Sequence, residues 1–301
     1  MEADAAVVTQ LRAAGCVWAE DEASLLASAA NSRAELAAMV GRRAAGEPLE
    51  QVIGWAEFCG LRIFVDAGVF VPRRRSEFLA SVALGPALGR RHDGQAGHRA
   101  RGVGAPVIVD LCCGTGALGL AVAAGLADRG ADITTGPGGA DTGGAALELR
   151  PLAGVELHAA DLDPAAVACA RRNVGPAGGH VYAGDLFSAL PGSLRGRIGV
   201  LICNAPYVPT TEIAFMPGEA RDHEALMALD GGADGLAVLR RAASDAGAWL
   251  ARGGVLLVET GERQAPLMAA VMAGAGLTAQ VHEDDESGAT VVTGVRPVDN
   301  A

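Results

Sequence analysis

The tetrapeptide Asn204-Ala205-Pro206-Tyr207 follows directly on the apolar run Val200-Leu201-Ile202-Cys203. A strand end that delivers an amide side chain, a free backbone carbonyl, a rigid proline and an aromatic ring makes a receptacle for a planar, NH₂-bearing group. The side-chain amide of glutamine and the amino groups of adenine and cytosine all fit, being flat and poor nitrogen nucleophiles. Taken alone, the same four residues also read as a strand followed by a proline-containing turn.

A second constellation lies about ninety residues upstream. Val107-Ile108-Val109-Asp110-Leu111-Cys112-Cys113-Gly114-Thr115-Gly116-Ala117-Leu118-Gly119 reads as a strand, a glycine-containing turn and a helix start. Gly114 and Gly116 let the backbone approach a ligand closely, and the helix N-terminus offers free N–H groups. The next strand ends at Asp161, followed by Leu162, Asp163 and Pro164, and a carboxylate there would accept both ribose hydroxyls. Such an acid usually follows at a gap of about 20 residues, whereas 45 residues separate Gly116 from Asp161. Removing a glycine-rich stretch, 129–154, restores the spacing. Asp163 is expected to cap the following helix, with Pro164 at its first position. Gly184-Asp185-Leu186-Phe187 follows a third strand, where Asp185 can reach an adenine amino group and Leu186 can cover the ring.

The elements that must position these residues are legible in outline. Residues 5–48 carry apolar residues at helical spacing, Leu25, Leu26, Leu36, Met39 and Val40 among them, consistent with a small helical bundle. Short apolar runs from 52 to 71 predict a hairpin turning near Asp66-Ala67-Gly68. A helix is expected over 77–84. Beyond it the order is strand 107–111, helix 117–126, strand 156–160, helix 164–173, and strands at 180–183, 200–203 and 255–259. The stretch 229–250 reads as mostly helical, and 279–282 with 290–295 as an antiparallel pair. Alternating strands and helices imply an α/β fold with a parallel sheet covered on both faces. Segments 89–105 and 129–154, aperiodic and glycine-containing, read as a linker and a flexible insertion.

Composition narrows the function classes. Half of the 301 residues are hydrophobic but only 4% aromatic, so the core is built mainly from alanine, valine and leucine. A net charge of −11 argues against an affinity that comes from neutralising a phosphate backbone. The acidic start lacks a signal peptide's features, and the longest apolar stretch, 103–127, carries Asp110 and several glycines, so neither secretion nor a membrane span is expected. Six cysteines without CxxC or Cys/His spacing indicate neither a zinc site nor a disulfide framework, and suit a reducing cytoplasm.

The order of elements resembles the S-adenosylmethionine-dependent methyltransferases, and three further segments sharpen the resemblance. Gly46-Glu47-Pro48-Leu49-Glu50-Gln51-Val52-Ile53-Gly54-Trp55-Ala56-Glu57-Phe58-Cys59-Gly60-Leu61 is similar to "GEPLxYxxGxxEFxGL", with Val71-Pro72-Arg73 for "IPRPxTE". Asp222 to Leu236 resembles "EPxxALDGGxDGL", and Gly253 to Gln264 resembles "GGxLxxEIGxxQ". Together they resemble the HemK/PrmC-type protein-glutamine N5-methyltransferases, which act on the Gly-Gly-Gln glutamine of peptide chain release factors. The resemblance runs from about residue 22 to 297, apart from 89–105 and 129–154.

It implies a Rossmann-like class I methyltransferase fold, with a seven-stranded, mostly parallel sheet. A helical substrate-docking domain (1–50) and a β-hairpin connector (51–73) would precede the methyltransferase domain (74–301). It implies S-adenosylmethionine as cofactor, with Cys112, Cys113, Gly114, Thr115 and Gly116 around its methionine part and Asp110 also among the cofactor-binding residues. Asp161 and Leu162 would hold the ribose, Asp185 and Leu186 the adenine. Asn204 to Tyr207 would hold the substrate glutamine, with Asn204 also beside the cofactor. The implied partner is a glutamine-bearing protein, a release factor or related translation protein, with no stable nucleic-acid binding, no membrane and a monomeric enzyme. The alternatives are a methyltransferase for nucleic-acid amino groups and an idle cofactor-binding interaction module. His223 and Glu224 read as structural.

The departures predict a divergent branch with an open substrate. Ala205 replaces a proline, Arg74 and Ser76 replace a proline and a threonine, Gln51 replaces a tyrosine, and Cys112 replaces a glycine. The segment 285–290 also lacks an arginine usual before the last strand.

Overall fold

The computed structural model describes residues 5–85, 105–132 and 151–298. Four short helices, Ala5–Ala13, Ala19–Ala29, Arg33–Ala44 and Leu49–Ile53, open the chain. Their apolar stripes close on one another around Leu11, Leu26, Leu36, Met39, Val40 and Val52. Strands β1 (Trp55–Phe58) and β2 (Leu61–Phe64) then form a hairpin.

That hairpin turns at Cys59-Gly60 and not at Asp66-Ala67-Gly68 as the sequence predicts. Both turn residues have positive φ, 49° and 73°, the geometry that matches the twist of a two-residue hairpin. A cysteine in this conformation carries no sequence signal, so the apolar run reads as unbroken. The stretch after β2 leads into the buried Val69 and Val71 without forming a strand.

The remaining strands are β3 (Val107–Leu111), β4 (Glu156–Asp161), β5 (His180–Ala183), β6 (Ile198–Cys203), β7 (Leu250–Thr260), β8 (Thr278–Asp284) and β9 (Ala289–Val295). They form a seven-stranded sheet in the order β5-β4-β3-β6-β7-β9-β8. β3 to β7 run parallel, and β9 is antiparallel to both β7 and β8. Every residue of β3 and β6 is buried, as strands covered on both faces must be.

Alternate residues face opposite layers. Val109, Leu111, Leu201, Cys203, Leu256 and Val258 pack with the helices Ala237–Trp249 and Ala265–Gly274. Ile108, Val200, Ile202 and Leu257 pack with Glu77–Leu84 and Ala117–Asp132. The expected helix over 229–250 is shorter, beginning only at Ala237. The segments 89–104 and 133–150, read from sequence as a linker and as most of the insertion, lie outside the described residues.

From β3 the chain proceeds to β4 and β5 on one side, then crosses back to β6 and β7 on the other. The strand order therefore reverses between β3 and β6, where open α/β sheets bind ligands beyond the carboxyl ends of their strands. Leu111 pairs with Cys203 and with Ala160, so Cys112, Asp161 and Asn204 emerge side by side at that edge.

Candidate functional site

A cavity opens at the switch point, and most of the sequence-predicted residues meet in its wall. Asp110, Cys112, Cys113, Gly114, Thr115, Asp161, Leu162, Asp185, Leu186, Asn204, Ala205, Pro206 and Tyr207 all line it. Gly116 does not. Its φ is +79° and an added Cβ would stand 2.7 Å from Val174 Cγ2, so this glycine serves helix packing. Gly119 does the same, since a Cβ there would lie 2.9 Å from Asp110 Cβ. Gly114, at φ +53°, has open space where a Cβ would be and leaves bare backbone toward the cavity.

Asp110 is the buried penultimate residue of β3. Its Oδ2 accepts the Gly119 N–H at 2.9 Å, while Oδ1 is buried without a partner. Burial pushes its carboxyl up to about 7, against the Gly119 hydrogen bond, with Asp161 adding a smaller push in the same direction. Asp161 accepts the Gly114 N–H at 2.8 Å on Oδ2 and the Asp163 N–H at 2.9 Å on Oδ1. Burial still holds it above the ordinary aspartate range. Asp163 caps its helix through the Ala165 N–H at 2.9 Å, with Pro164 in the first turn. Asp185 pairs with Arg241 at 2.6 Å.

Cys112 and Leu186 sit in the cavity wall with φ of 54° and 46°. A left-handed backbone costs about 1–2 kcal/mol in a residue with a Cβ, a strain that collects at functional sites. At Cys112 it explains why the resembled motif has glycine there.

The other half of the cavity is organised around a residue to which the sequence reading assigned no role. Glu259, 2% exposed, stands near the end of β7. The register pairs Ile202 with Leu257, so two residues further on Asn204 lies beside it. Its Oε2 accepts Ser76 Oγ at 2.5 Å and Asn204 Nδ2 at 3.5 Å. Its Oε1 accepts the Tyr207 hydroxyl at 2.7 Å and faces Arg75 Nε at 3.0 Å. Asn204 Nδ2 also reaches Ser76 Oγ at 3.4 Å. Arg75 donates to the Tyr207 hydroxyl and stacks over its ring at 5.5 Å. Burial, then the Glu259 carboxylate, push the Tyr207 hydroxyl far above the ordinary phenol range, so it stays neutral. A signal did exist in the sequence: Glu259 ends an apolar strand at the same sheet edge as Asp110 and Asp161.

The loop holding Ala205 to Tyr207 is clamped from outside. Gln264 Nε2 donates to the Tyr207 carbonyl at 2.9 Å and the Asp234 carbonyl at 2.8 Å. Val208 and Gly231 exchange backbone bonds with this neighbourhood, Val208 N–H to the Leu229 carbonyl and Gly231 N–H to the Val208 carbonyl. Gly231 and Gly235 are glycines because a Cβ would strike the Pro206 carbonyl in one case and the Tyr207 carbonyl in the other. Glu224 is buried and accepts Arg73 Nη2 at 2.6 and 2.7 Å and the Val71 N–H at 3.0 Å, tying the 71–73 segment to the mouth. Met216 and Met227 line that mouth, beside Phe215, which is 87% exposed.

No protein-family model matches the chain. Among curated proteins it is 33% identical to the release factor glutamine methyltransferase of Streptomyces coelicolor, over 75% of this chain and 67% of that one. It is 32% identical to the protein of the same name from Deinococcus radiodurans, over 81% and 73%. A relative with a different name, the 4-amino-L-phenylalanine/4-methylamino-L-phenylalanine methyltransferase of Streptomyces pristinaespiralis, is 31% identical over 75% of this chain and 65% of that one.

Proposed function

The chain belongs to the release factor glutamine methyltransferase family, and on that premise we propose that Asn204 and Ala205 hold a release-factor glutamine for methylation at its amide nitrogen. The enzyme is S-adenosylmethionine-dependent. The observation that carries the proposal is the hydrogen bonding of Asn204, a residue of the cavity wall whose Nδ2 is engaged by Ser76 and Glu259.

The residues present fit the cofactor. An orphaned carboxylate oxygen at Asp110 suits an ammonium group, and the open side of Gly114 suits close approach of backbone to a ligand. In this reading Asp110 and the 112–115 turn hold the methionine part, Asp161 and Leu162 the ribose, and Asp185 with Leu186 the adenine. S-adenosylmethionine supplies a methyl group on a sulfonium, whose charge disperses as the methyl leaves.

The protein's own task is then to orient and desolvate a weak nucleophile. The lone pair of an amide nitrogen is delocalised. Asn204 Oδ1 and the Ala205 carbonyl, accepting its two N–H groups, draw density onto nitrogen and fix its line of approach. Held by these two acceptors, the amide nitrogen would take up the methyl group that bound S-adenosylmethionine supplies and would give up one proton to water. Tyr207, neutral and held by Glu259 and Arg75, packs against the amide plane rather than acting as a base.

Ala205 supplies the same carbonyl a proline would, and the Gln264 clamp supports the loop. The apolar mouth at Phe215, Met216 and Met227 suits a protein surface, with the helical segment 5–53 as a further docking element. Release factors work on ribosomes, so the cytoplasm is the setting this reading requires.

The test incubates the enzyme and labelled S-adenosylmethionine with a release factor carrying Gly-Gly-Gln, and maps the label by mass spectrometry. 4-Amino-L-phenylalanine and total RNA serve as competing substrates. Label on the glutamine side chain is expected, and exclusive labelling of either competitor would sink the proposal. Asn204→Ala should lower turnover by about 10²-fold with cofactor affinity retained.

A further inference from the structure

Glu259 touches neither half of the reaction, yet every group that meets it is a donor or is turned to be one. We propose that Glu259 is a positioning residue that sets which end of the Asn204 amide faces the substrate. The inference rests on the reading of Asn204 as the acceptor for the substrate amide and adds what makes it one.

An asparagine amide has an acceptor end and a donor end of nearly equal size, and rotation by half a turn exchanges them. Only the acceptor end suits a substrate NH₂; the donor end would set two N–H groups against each other. The surroundings must therefore decide the orientation, and an apolar wall could not. A carboxylate can, because it offers acceptors only.

Glu259 Oε2 faces Asn204 Nδ2 at 3.5 Å. Ser76 gives its single hydroxyl proton to the same oxygen, at 2.5 Å, so its own oxygen is left to accept Asn204 Nδ2 at 3.4 Å. Both neighbours of Nδ2 are thus acceptors, and the second is one because of Glu259. Arg75 Nε and the Tyr207 hydroxyl occupy Oε1, which anchors the carboxylate in place. Oδ1 of Asn204 is left for the cavity.

A carboxamide at position 259 would reverse this logic. In Glu259→Gln the amide oxygen stays with Arg75 and Tyr207, and the NH₂ turns toward Ser76 and Asn204. Asn204 then rotates to answer a donor and presents its own NH₂ to the substrate. A compensating change is available. When Asn204→Asp is added to Glu259→Gln, one oxygen of the new carboxylate can accept from the new carboxamide NH₂ while the other faces the substrate. The same aspartate opposite the native Glu259 sets two carboxylates together.

The experiment measures kcat and KM for Gly-Gly-Gln methylation, cofactor Kd and Tm for Glu259→Gln, Asn204→Asp and the double variant. Each single variant should lose about 10²-fold in kcat; Asn204→Asp, which opposes two buried carboxylates, should also lower Tm, and the double variant should restore it. The double variant should regain about tenfold over the poorer single one. A merely structural carboxylate predicts no such rescue. Full activity in Glu259→Gln, or no recovery in a folded, cofactor-binding double variant, overturns the proposal.

The wild-type protein provides a test that needs no variant. In ¹⁵N-edited spectra the Asn204 side-chain NH₂ should show cross-peaks to the Ser76 β-protons, and an NH₂ lacking them would overturn the proposal even in a folded, active enzyme. Wild-type protein that methylates no glutamine refutes the functional reading instead, and the spectra still decide how Asn204 is oriented.

Discussion

Asp110 is held in a state unusual for a carboxylate, buried with one oxygen unpaired and its carboxyl raised to about 7. An ordinary aspartate titrates at about 3.9, so the folded protein binds this proton more tightly than the unfolded chain. The stability Asp110 contributes is therefore complete below the ordinary aspartate range and is lost as pH rises through about 7. A cationic group at Oδ1 reverses the preference, because it favours the ionised form. Cofactor affinity should accordingly rise by about tenfold between about pH 5.5 and about pH 7, with a proton released on binding. Asp110→Asn should flatten that dependence, and calorimetry in buffers of different ionisation enthalpy would show it. An affinity for wild type that does not vary over this range would contradict the role given to Asp110. At this scale Asn204 and Asp161 are recognisable in sequence because each stands at the end of an apolar run, and Asp110 because it is a carboxylate inside one just before a glycine-containing turn. Ser76 and Arg75 are not, since what makes them matter is a glutamate more than 180 residues away.

Elements impose their own constraints, and the loop over 230–236 is the clearest. The sequence reads as the start of a helix, but two glycines let it press against the backbone of Pro206 and Tyr207 instead. Asp230 supports it by accepting Thr210 Oγ1 at 2.7 Å and the Gly232 N–H at 2.9 Å. Gly235→Ala puts a Cβ on the Tyr207 carbonyl at φ +78°. It should cost about 1–3 kcal/mol of stability and displace the 204–207 loop. Denaturant unfolding together with turnover checks this, and an unperturbed, fully active Gly235→Ala would show that the close approach is dispensable. The hairpin teaches a related lesson. Its turn lies where Cys59 takes a left-handed conformation, while Asp66-Ala67-Gly68 has the right residue types but no second strand to turn into. Turn chemistry is local, and strand pairing is not.

At the scale of the whole molecule, Arg43 joins the N-terminal helices to the segment beside the cavity mouth. It is buried, donates to Glu22 at 2.6 and 3.2 Å and to the Glu47 carbonyl at 3.1 Å, and pairs with Glu219. Removing one member of a buried pair leaves the other uncompensated, so Arg43→Ala should destabilise the protein by about 3–5 kcal/mol. Because Glu219 lies on the helix Gly218–His223, kcat/KM for a protein substrate should fall further than cofactor affinity. Equal losses in both would mean that the N-terminal helices do not help to present the substrate. By itself the sequence determined the alternating architecture, the strand ends that carry Asp110, Asp161 and Asn204, and the segments shared with one family. Those features follow from hydrophobic period and from chemistry that local residue types express. Only the tertiary structure decided that β6 and β7 lie side by side in a register that brings Glu259 to Asn204. It also decided that Gly116 packs while Gly114 faces the cavity, and that Gly231 and Gly235 admit another backbone. Each of these is a property of the space between segments distant in the chain, and that space exists only once the sheet has formed.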